Sequence, residues 1–184
     1  MKKSISFSLY LFVLAALFGC KQDDISTTTG EIQAVIDNQT ITASITETVR
    51  TSNGLTVKAV TGNGSTFFIA LVTGSTPLRG LNGQAAFYAP GMEVLHPRQS
   101  PENTTAAWVT ITYTEAANKQ GWVSMREAET TSGTLQITKS TGESFEGTFS
   151  GQLRGPVATD NESWKNPAVL RTKTIQNGRI ALTF

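Results

Sequence analysis

The sequence predicts an all-β fold: an antiparallel β-sandwich of about ten short strands, with a β-barrel as the second architecture that the same strands allow. Two observations carry this. From Glu31 onward apolar residues recur at every second position, the spacing that sends successive side chains to opposite faces of a pleated strand. Between these runs stand short Asn- and Gly-containing segments that tolerate the positive φ of tight hairpin turns. No stretch carries the apolar spacing of an amphipathic helix over several turns.

The first strand is expected at Glu31–Ile36. Ile41, Ala43 and Ile45 then alternate with Thr42, Ser44 and Thr46, and Leu55, Val57 and Ala59 with Thr56, Lys58 and Val60. Val109, Ile111 and Tyr113 alternate in the same way with Thr110, Thr112 and Thr114. β-Branched threonine suits the solvated face of such half-buried strands. Thr66–Val72, Gln84–Tyr88, Trp122–Arg126, Thr134–Lys139, Ser144–Leu153, Val169–Ile175 and Arg179–Phe184 complete the set. Turns fall at Asp37-Asn38, Asn53-Gly54, Gly62-Asn63-Gly64, Thr141-Gly142 and Asn177-Gly178, and they predict antiparallel neighbours. Phe145, Gly147, Phe149, Gly151 and Leu153 share one strand face. Its glycines either admit a facing sheet or a crossing aromatic, or leave a flat apolar groove. Phe67, Phe68, Trp108 and Tyr113 fall within strands and are assigned to the core. The connections Pro90–Ala106 and Gly155–Ala168 are long for structural loops.

Residues 1–19 read as an export leader. Lys2 and Lys3 precede an apolar stretch from Leu9 to Phe18, and the uncharged run up to Cys20 is about 17 residues, the bottom of the range for a spanning helix. Leu17-Phe18-Gly19-Cys20 resembles the lipobox cut by lipoprotein signal peptidase, with Leu17 and Gly19 at the recognition positions and the Cys20 thiol as the lipid acceptor. Phe18 is bulkier than the residue usual at its position. Cys20 is the sole cysteine, and an exported lone thiol is best accommodated by such capping. Several acyl chains, at about 0.8 kcal/mol per buried CH₂, anchor lastingly where a single chain does not. Residues 20–30 are polar and aperiodic, a tether whose ten or so residues reach about 33 Å when extended. Cys20-Lys21-Gln22-Asp23-Asp24 also resembles the surface-export signal of Bacteroidota lipoproteins. Residues 31–184 form a single domain, long enough to bury about 70% of its unfolded surface without disulfide or metal.

Formal net charge is +1 for the full chain and becomes −1 when Lys2 and Lys3 are removed with the leader. Arg79, Arg98, Arg126, Arg154 and Arg171 are scattered singly. That dispersal excludes the concentrated basic stripe that nucleic-acid binding requires.

Three segments carry a family likeness. Gly133-Thr-Leu-Gln-Ile-Thr138, Phe145-Glu-Gly-Thr-Phe-Ser150 and Ile175-Gln-Asn-Gly-Arg-Ile180, behind the opening pattern Ile32-Gln-Ala-Val-Ile-Asp-Asn38 and Ile41-Thr-Ala43, resemble the strand motifs of the DUF6252 family of Bacteroidota lipoproteins. The likeness covers most of the mature chain. It implies an address in the envelope and a β architecture, but no catalytic residue. The chain departs from that pattern in its second strand, which lacks the usual Trp or Phe, and in the longer Gly155–Ala168 connection.

The residues offer little chemistry. His96 is the only histidine, no G-x-S-x-G is present, and no free cysteine remains after lipidation, so neither a hydrolase triad nor a zinc site can be assembled. Glu127 and Glu129 lie on one face of an extended segment, roughly 7 Å apart by strand rise, a separation that glycosidases use. Asp160, Asn161 and Glu162 are hard oxygen ligands without the spacing of a known calcium loop. Trp122 and Trp164 stand in turn-like, polar surroundings and are candidate stacking platforms for a ligand, or else plugs for an open end of the fold. The expectation is a non-enzymatic lipoprotein with no cofactor and no metal, held at the outer membrane through Cys20 and facing the periplasm or the cell surface. Its partner would be an envelope protein or a glycan, and its role binding or structural. The alternatives are a carbohydrate-binding accessory protein using Trp122 or Trp164 and, less favoured, a glycoside hydrolase using Glu127 and Glu129.

Overall fold

A computed structural model of the chain describes residues 28–87, 107–124, 126–127, 130–157 and 171–184. Within them the chain forms β1 (Thr29–Ile36), β2 (Gln39–Thr51), β3 (Gly54–Thr61), β4 (Thr66–Val72), β5 (Gly83–Phe87) and β6 (Ala107–Thr114). There follow β7 (Gly121–Ser124), β8 (Arg126–Glu127), β9 (Thr130–Thr131), β10 (Gly133–Ser140), β11 (Ser144–Val157) and β12 (Arg171–Thr183). The expected leader, residues 1–19, and positions 20–27 of the expected tether lie outside the described residues, whereas Thr29 and Gly30, expected in the tether, already belong to β1 and pair with β12.

The all-β expectation is met, and of the two architectures the sequence allows it is the barrel that forms. One sheet runs β10-β5-β6-β4-β3-β2-β1-β12-β11 and closes on itself because β10 also pairs with β11. A sandwich would need two sheets with free edges. Hairpin turns dictate sequential neighbours such as β1–β2, β2–β3 and β3–β4, but say nothing of the distant pairings β1–β12 and β5–β10 that close the circle. The β5–β6 pair is parallel, Ala85 to Phe87 beside Ala107 to Val109, against the antiparallel expectation. Further along the same edge of β6, Thr112 to Thr114 pair with β7. β7 in turn pairs with the C-terminal half of β11, so the gap between β6 and β11 is filled by β5 and β10 at one end and by β7 at the other.

The barrel has two poles. The 37–38, 62–65 and 115–120 turns gather at the upper pole; the start of β1, Phe184 and the 52–53, 73–82 and 141–143 connections gather at the lower pole. Leu78, 1% exposed, plugs the lower pole. The Leu78 N–H donates to Ser52 O at 2.7 Å, and Ser140 Oγ donates to Leu78 O at 2.5 Å. Arg50 ties the same end together, donating to Thr141 O and Gly142 O at 2.8 Å each while its guanidinium lies 4.4 Å from the Phe184 ring centroid.

Inward positions are apolar on every strand of the circle. Ile32, Val57, Phe67, Phe87, Ile111, Leu135 and Ile180 are wholly buried, with Ala34, Ala59, Ala85 and Gly147 filling the narrow places between them. Side chains with no accessible surface cannot line a water-filled chamber, so this interior is a packed core and not a ligand cavity. Outward positions carry Gln33, Thr42, Ser44, Lys58, Gln136, Thr148 and Arg179, with Val49, Phe68 and Val72 as exposed apolar exceptions. A barrel that spans a membrane has the opposite polarity.

Three local readings change. Asn177-Gly178 is not a hairpin turn; it lies within the continuous strand β12. Asn177 takes φ of 50°, and Asn177 and Gly178 together oppose the single residue Ala34 of β1, which makes a β-bulge. The same Asn-Gly preference for positive φ serves a bulge as well as a turn, and the sequence does not distinguish them. Phe68 belongs to the outer face and is 42% exposed. Trp108 also faces outward, in register with Val72, and is buried outside the central core.

Gly133 of β10 and Gly151 of β11 admit an aromatic ring. Gly133 and Gly151 pair directly, and the Phe87 ring edge crosses them, 2.6 Å from where a Cβ on either would sit. Replacing Gly133 by Ala forces backbone and ring apart and is expected to cost about 2–3 kcal/mol, the upper range for overpacking. Gly142→Ala, with nothing near its Cβ position, should stay within about 0.5 kcal/mol of wild type. Urea unfolding of the two variants measures the difference.

Candidate functional site

The upper pole carries a polar cluster of Asp37, Glu115 and Lys173. Asp37 enters it because the Asp37-Asn38 turn, with φ of 48° and 67°, joins β1 to β2 with only two residues between them. Glu115 follows β6 directly and opens a loop in which its N–H donates to Gln120 O and its carbonyl accepts from the Lys119 N–H. Lys173 sits near the start of β12 and pairs in register with Leu153.

Lys173 Nζ joins the acids. It donates to Asp37 Oδ2 at 2.7 Å and lies 3.1 Å from Glu115 Oε1. Asp37 Oδ1 accepts from the Thr174 N–H at 3.3 Å, and Glu115 Oε2 accepts from Asn118 Nδ2 at 2.8 Å. Beneath the ammonium, 4.5 Å from Nζ, lies the centroid of the Trp122 ring, within range of a cation–π attraction. Ile36, Asp37, Gln39, Ile41, Tyr113, Glu115 and Lys173 line a cleft of about 290 Å³ at this pole.

Partial burial pushes the Glu115 carboxyl upward, but the Asn118 amide, the Lys173 ammonium and the Trp122 indole outweigh it and hold the group below the ordinary carboxylate range. Burial likewise pushes Lys173 down, and the carboxylates of Asp37 and Glu115 outweigh it, so the ammonium is held above the ordinary lysine range. Glu115 and Lys173 are therefore both charged at neutral pH.

Trp122 underlies this cleft and does not offer an open face. It is 6% exposed, Lys173 covers one side, and its ring packs so closely on Gly155 that a Cβ there would lie 2.9 Å from Cδ2. Its N–H leans toward Glu115 closely enough to favour the carboxylate, yet meets no acceptor at hydrogen-bonding geometry. A buried, unsatisfied donor costs about 1–3 kcal/mol.

Cys20, Leu17, Gly19, Trp164, His96, Glu129 and the Asp160–Glu162 triplet lie outside the described residues, so the structure places neither the proposed acyl site nor the Glu127/Glu129 pair. Among the described residues no three His, Cys, Asp or Glu side chains gather as a metal site would require. A broader groove of about 510 Å³ crosses the outer face over β1, β12, β11 and β10, between Gln33, Arg179, Thr148 and Gln136. It is shallow and lined by solvated side chains.

From sequence Asp37 reads as a turn residue and Tyr113 as core, and neither they nor Gln39, Glu115 and Lys173 stand out as site residues. Asp37 and Lys173 are 136 positions apart, and only closure of β1 on β12 makes them neighbours. No protein-family model matches the chain, and no curated protein and no solved structure matches it.

Because Glu115 is more acidic in the folded chain, its contribution is complete above the unfolded carboxylate value of about 4.3 and is lost as pH falls through its folded value. Lys173 works in the opposite sense, contributing fully below about 10.4 and losing that contribution as pH rises through its folded value. Glu115→Gln is expected to lower stability by about 1–2 kcal/mol near pH 7. The gap to wild type should shrink to nothing at acid pH, where Glu115 is neutral in both. Thermal unfolding of the pair across pH reads this directly.

Proposed function

We propose that the protein is a lipid-anchored, non-catalytic binding module of the bacterial outer membrane, held through Cys20 and presenting its upper pole away from the lipid. The observation that carries this is the separation of the chain's two functional ends. β1 begins at the lower pole, so a tether running back to Cys20 leaves from there, while the polar cleft opens at the other end. Thirteen residues of β2 rise about 43 Å along the strand, or about 30 Å along a barrel axis tilted by the usual angle.

The leader and the Leu17-Phe18-Gly19-Cys20 pattern support the anchor, and the likeness to DUF6252 lipoproteins supports the same address. The mostly polar outer face and the packed interior of the described residues support a water-exposed domain that meets its partner at a surface. A partner in the envelope, protein or glycan, fits such a module. The anchored domain faces the periplasm or the cell surface: Lys21-Gln22-Asp23-Asp24 fits a surface-export signal and equally a solvated linker.

Mass spectrometry of the protein recovered from envelopes tests the anchor. The expected mass begins at Cys20 and includes acyl chains, and the protein partitions into detergent. Cys20→Ala should leave the leader attached and abolish acylation. A bare Cys20 thiol on protein recovered from the aqueous phase would overturn the reading.

A further inference from the structure

We propose that the outer face of β4, with Val49 of β2 beside it, is a membrane-docking face that leans the barrel wall against the headgroup boundary of the bilayer holding its anchor. The inference rests on the reading of the protein as anchored through Cys20 and adds how the domain sits on the lipid.

Strand β4 breaks the rule that outward residues are polar. Phe67, Ile69 and Leu71 fill the core, while Phe68, Ala70 and Val72 follow one another on the outer side. A strand apolar on both faces is a strand made to be covered on both, yet Phe68 is 42% exposed and Val72 44%. Gly54, opposite Val72, has no side chain to cover it. Thr56 pairs with Ala70 on one side and with Val49, 47% exposed, on the other, so the exposed residues belong to one patch across β2, β3 and β4.

The patch has a place in the barrel. Val72 pairs with Gly54 beside the 52–53 turn and so stands at the lower rim. Phe68 stands four residues higher, about 13 Å along the strand and about 10 Å along a barrel axis of ordinary tilt. Amphipathic surfaces lying in the membrane interface bury their apolar side about 5–10 Å deep. A barrel leaning toward this wall therefore brings the whole patch to that depth and leaves the upper pole in water.

The tether decides what covers it. Thr29 opens β1 at the lower pole, nine residues from Cys20, a reach of at most about 30 Å. β1 lies three strands from β4, about 14 Å around the wall. An acylated Cys20 thus presents the patch to lipid at an effective concentration of about millimolar, so a weak affinity is enough. A second copy in solution has no such advantage: three side chains, each less than half exposed, offer far less than the roughly 800 Å² per partner of a stable protein interface. Lys58, the cross-strand neighbour of Phe68, is neutralised by Glu47 at 2.7 Å. The attraction is therefore burial of apolar surface and does not require anionic lipid.

The test uses full-length acylated protein in vesicles of phosphatidylcholine and phosphatidylglycerol, with a nitroxide on Ala70→Cys inside the patch or on Thr148→Cys, an exposed position of β11 across the barrel. Power-saturation EPR compares access by oxygen and by a water-soluble nickel chelate. Position 70 is expected to be open to oxygen and shielded from nickel, position 148 the reverse, and added salt should leave both unchanged. Phe68→Ser combined with Val72→Ser, both at exposed positions, should return position 70 to the aqueous pattern with the unfolding temperature within a few degrees of wild type. Protein that does not float with the vesicles overturns the anchor and this proposal with it. Floating protein whose position 70 is as open to nickel as position 148 overturns the docking face alone. Shielding at 70 that survives the double substitution overturns the apolar patch as its cause, and shielding accompanied by spin–spin broadening that disappears on dilution with lipid assigns the face to a second copy instead.

Discussion

Closure of the sheet between β6 and β11 is the constraint on which the rest of this molecule depends. Both strands are longer than any single partner available to them on that side. β6 therefore takes β5 along its first residues and β7 along its last, and β11 takes β10 and then β7. Without these pairings two rows of backbone N–H and C=O groups would stand open as edges, exposed to pairing with other chains. With them, every strand of the circle has neighbours on both sides, and the apolar faces have nowhere to turn but inward.

Closure also decides where function can reside. Small residues opposite large ones, such as the Gly133–Gly151 pair under Phe87, bring the walls close enough to fill the centre completely. The lower pole is sealed by Leu78 and clamped by Arg50. Among the described residues what remains is the outer face and the upper pole, where Asp37, Glu115 and Lys173 meet over the Trp122 ring beside a small cleft. The Lys173 bridge matters structurally as well as chemically, since it links the β1–β2 turn, the end of β6 and the start of β12 across the mouth of the barrel.

Much of the fold was legible because period-two patterning is a local property. Thr66–Val72 matches the observed strand, and the Asp37-Asn38 turn falls where its chemistry placed it. Legibility ended where a local signal has two uses. Asn177-Gly178 supplies positive φ to a bulge within β12 as readily as to a turn, so one strand of thirteen residues was divided into two. Phe68 is apolar within an alternating strand, but alternation alone does not say that its neighbours Phe67 and Ile69 take the inward face. The barrel's closing partners and the Asp37–Glu115–Lys173 cluster are non-local, and no spacing in the sequence announces them. Trp122 was legible as a residue of interest, and its two readings, platform or plug, were separated only by the burial the fold imposes.

The central claim is that anchor and cleft occupy opposite poles of one closed barrel. Under the proposed acylation of Cys20, the only native cysteine, a single cysteine introduced at Ala117 on the upper pole, or at Ser52 on the lower, carries a unique fluorophore. With the acylated protein in vesicles containing headgroup spin-labelled lipid, the account predicts strong quenching from position 52 and little from position 117. Equal quenching at the two positions, or stronger quenching at 117, would contradict it.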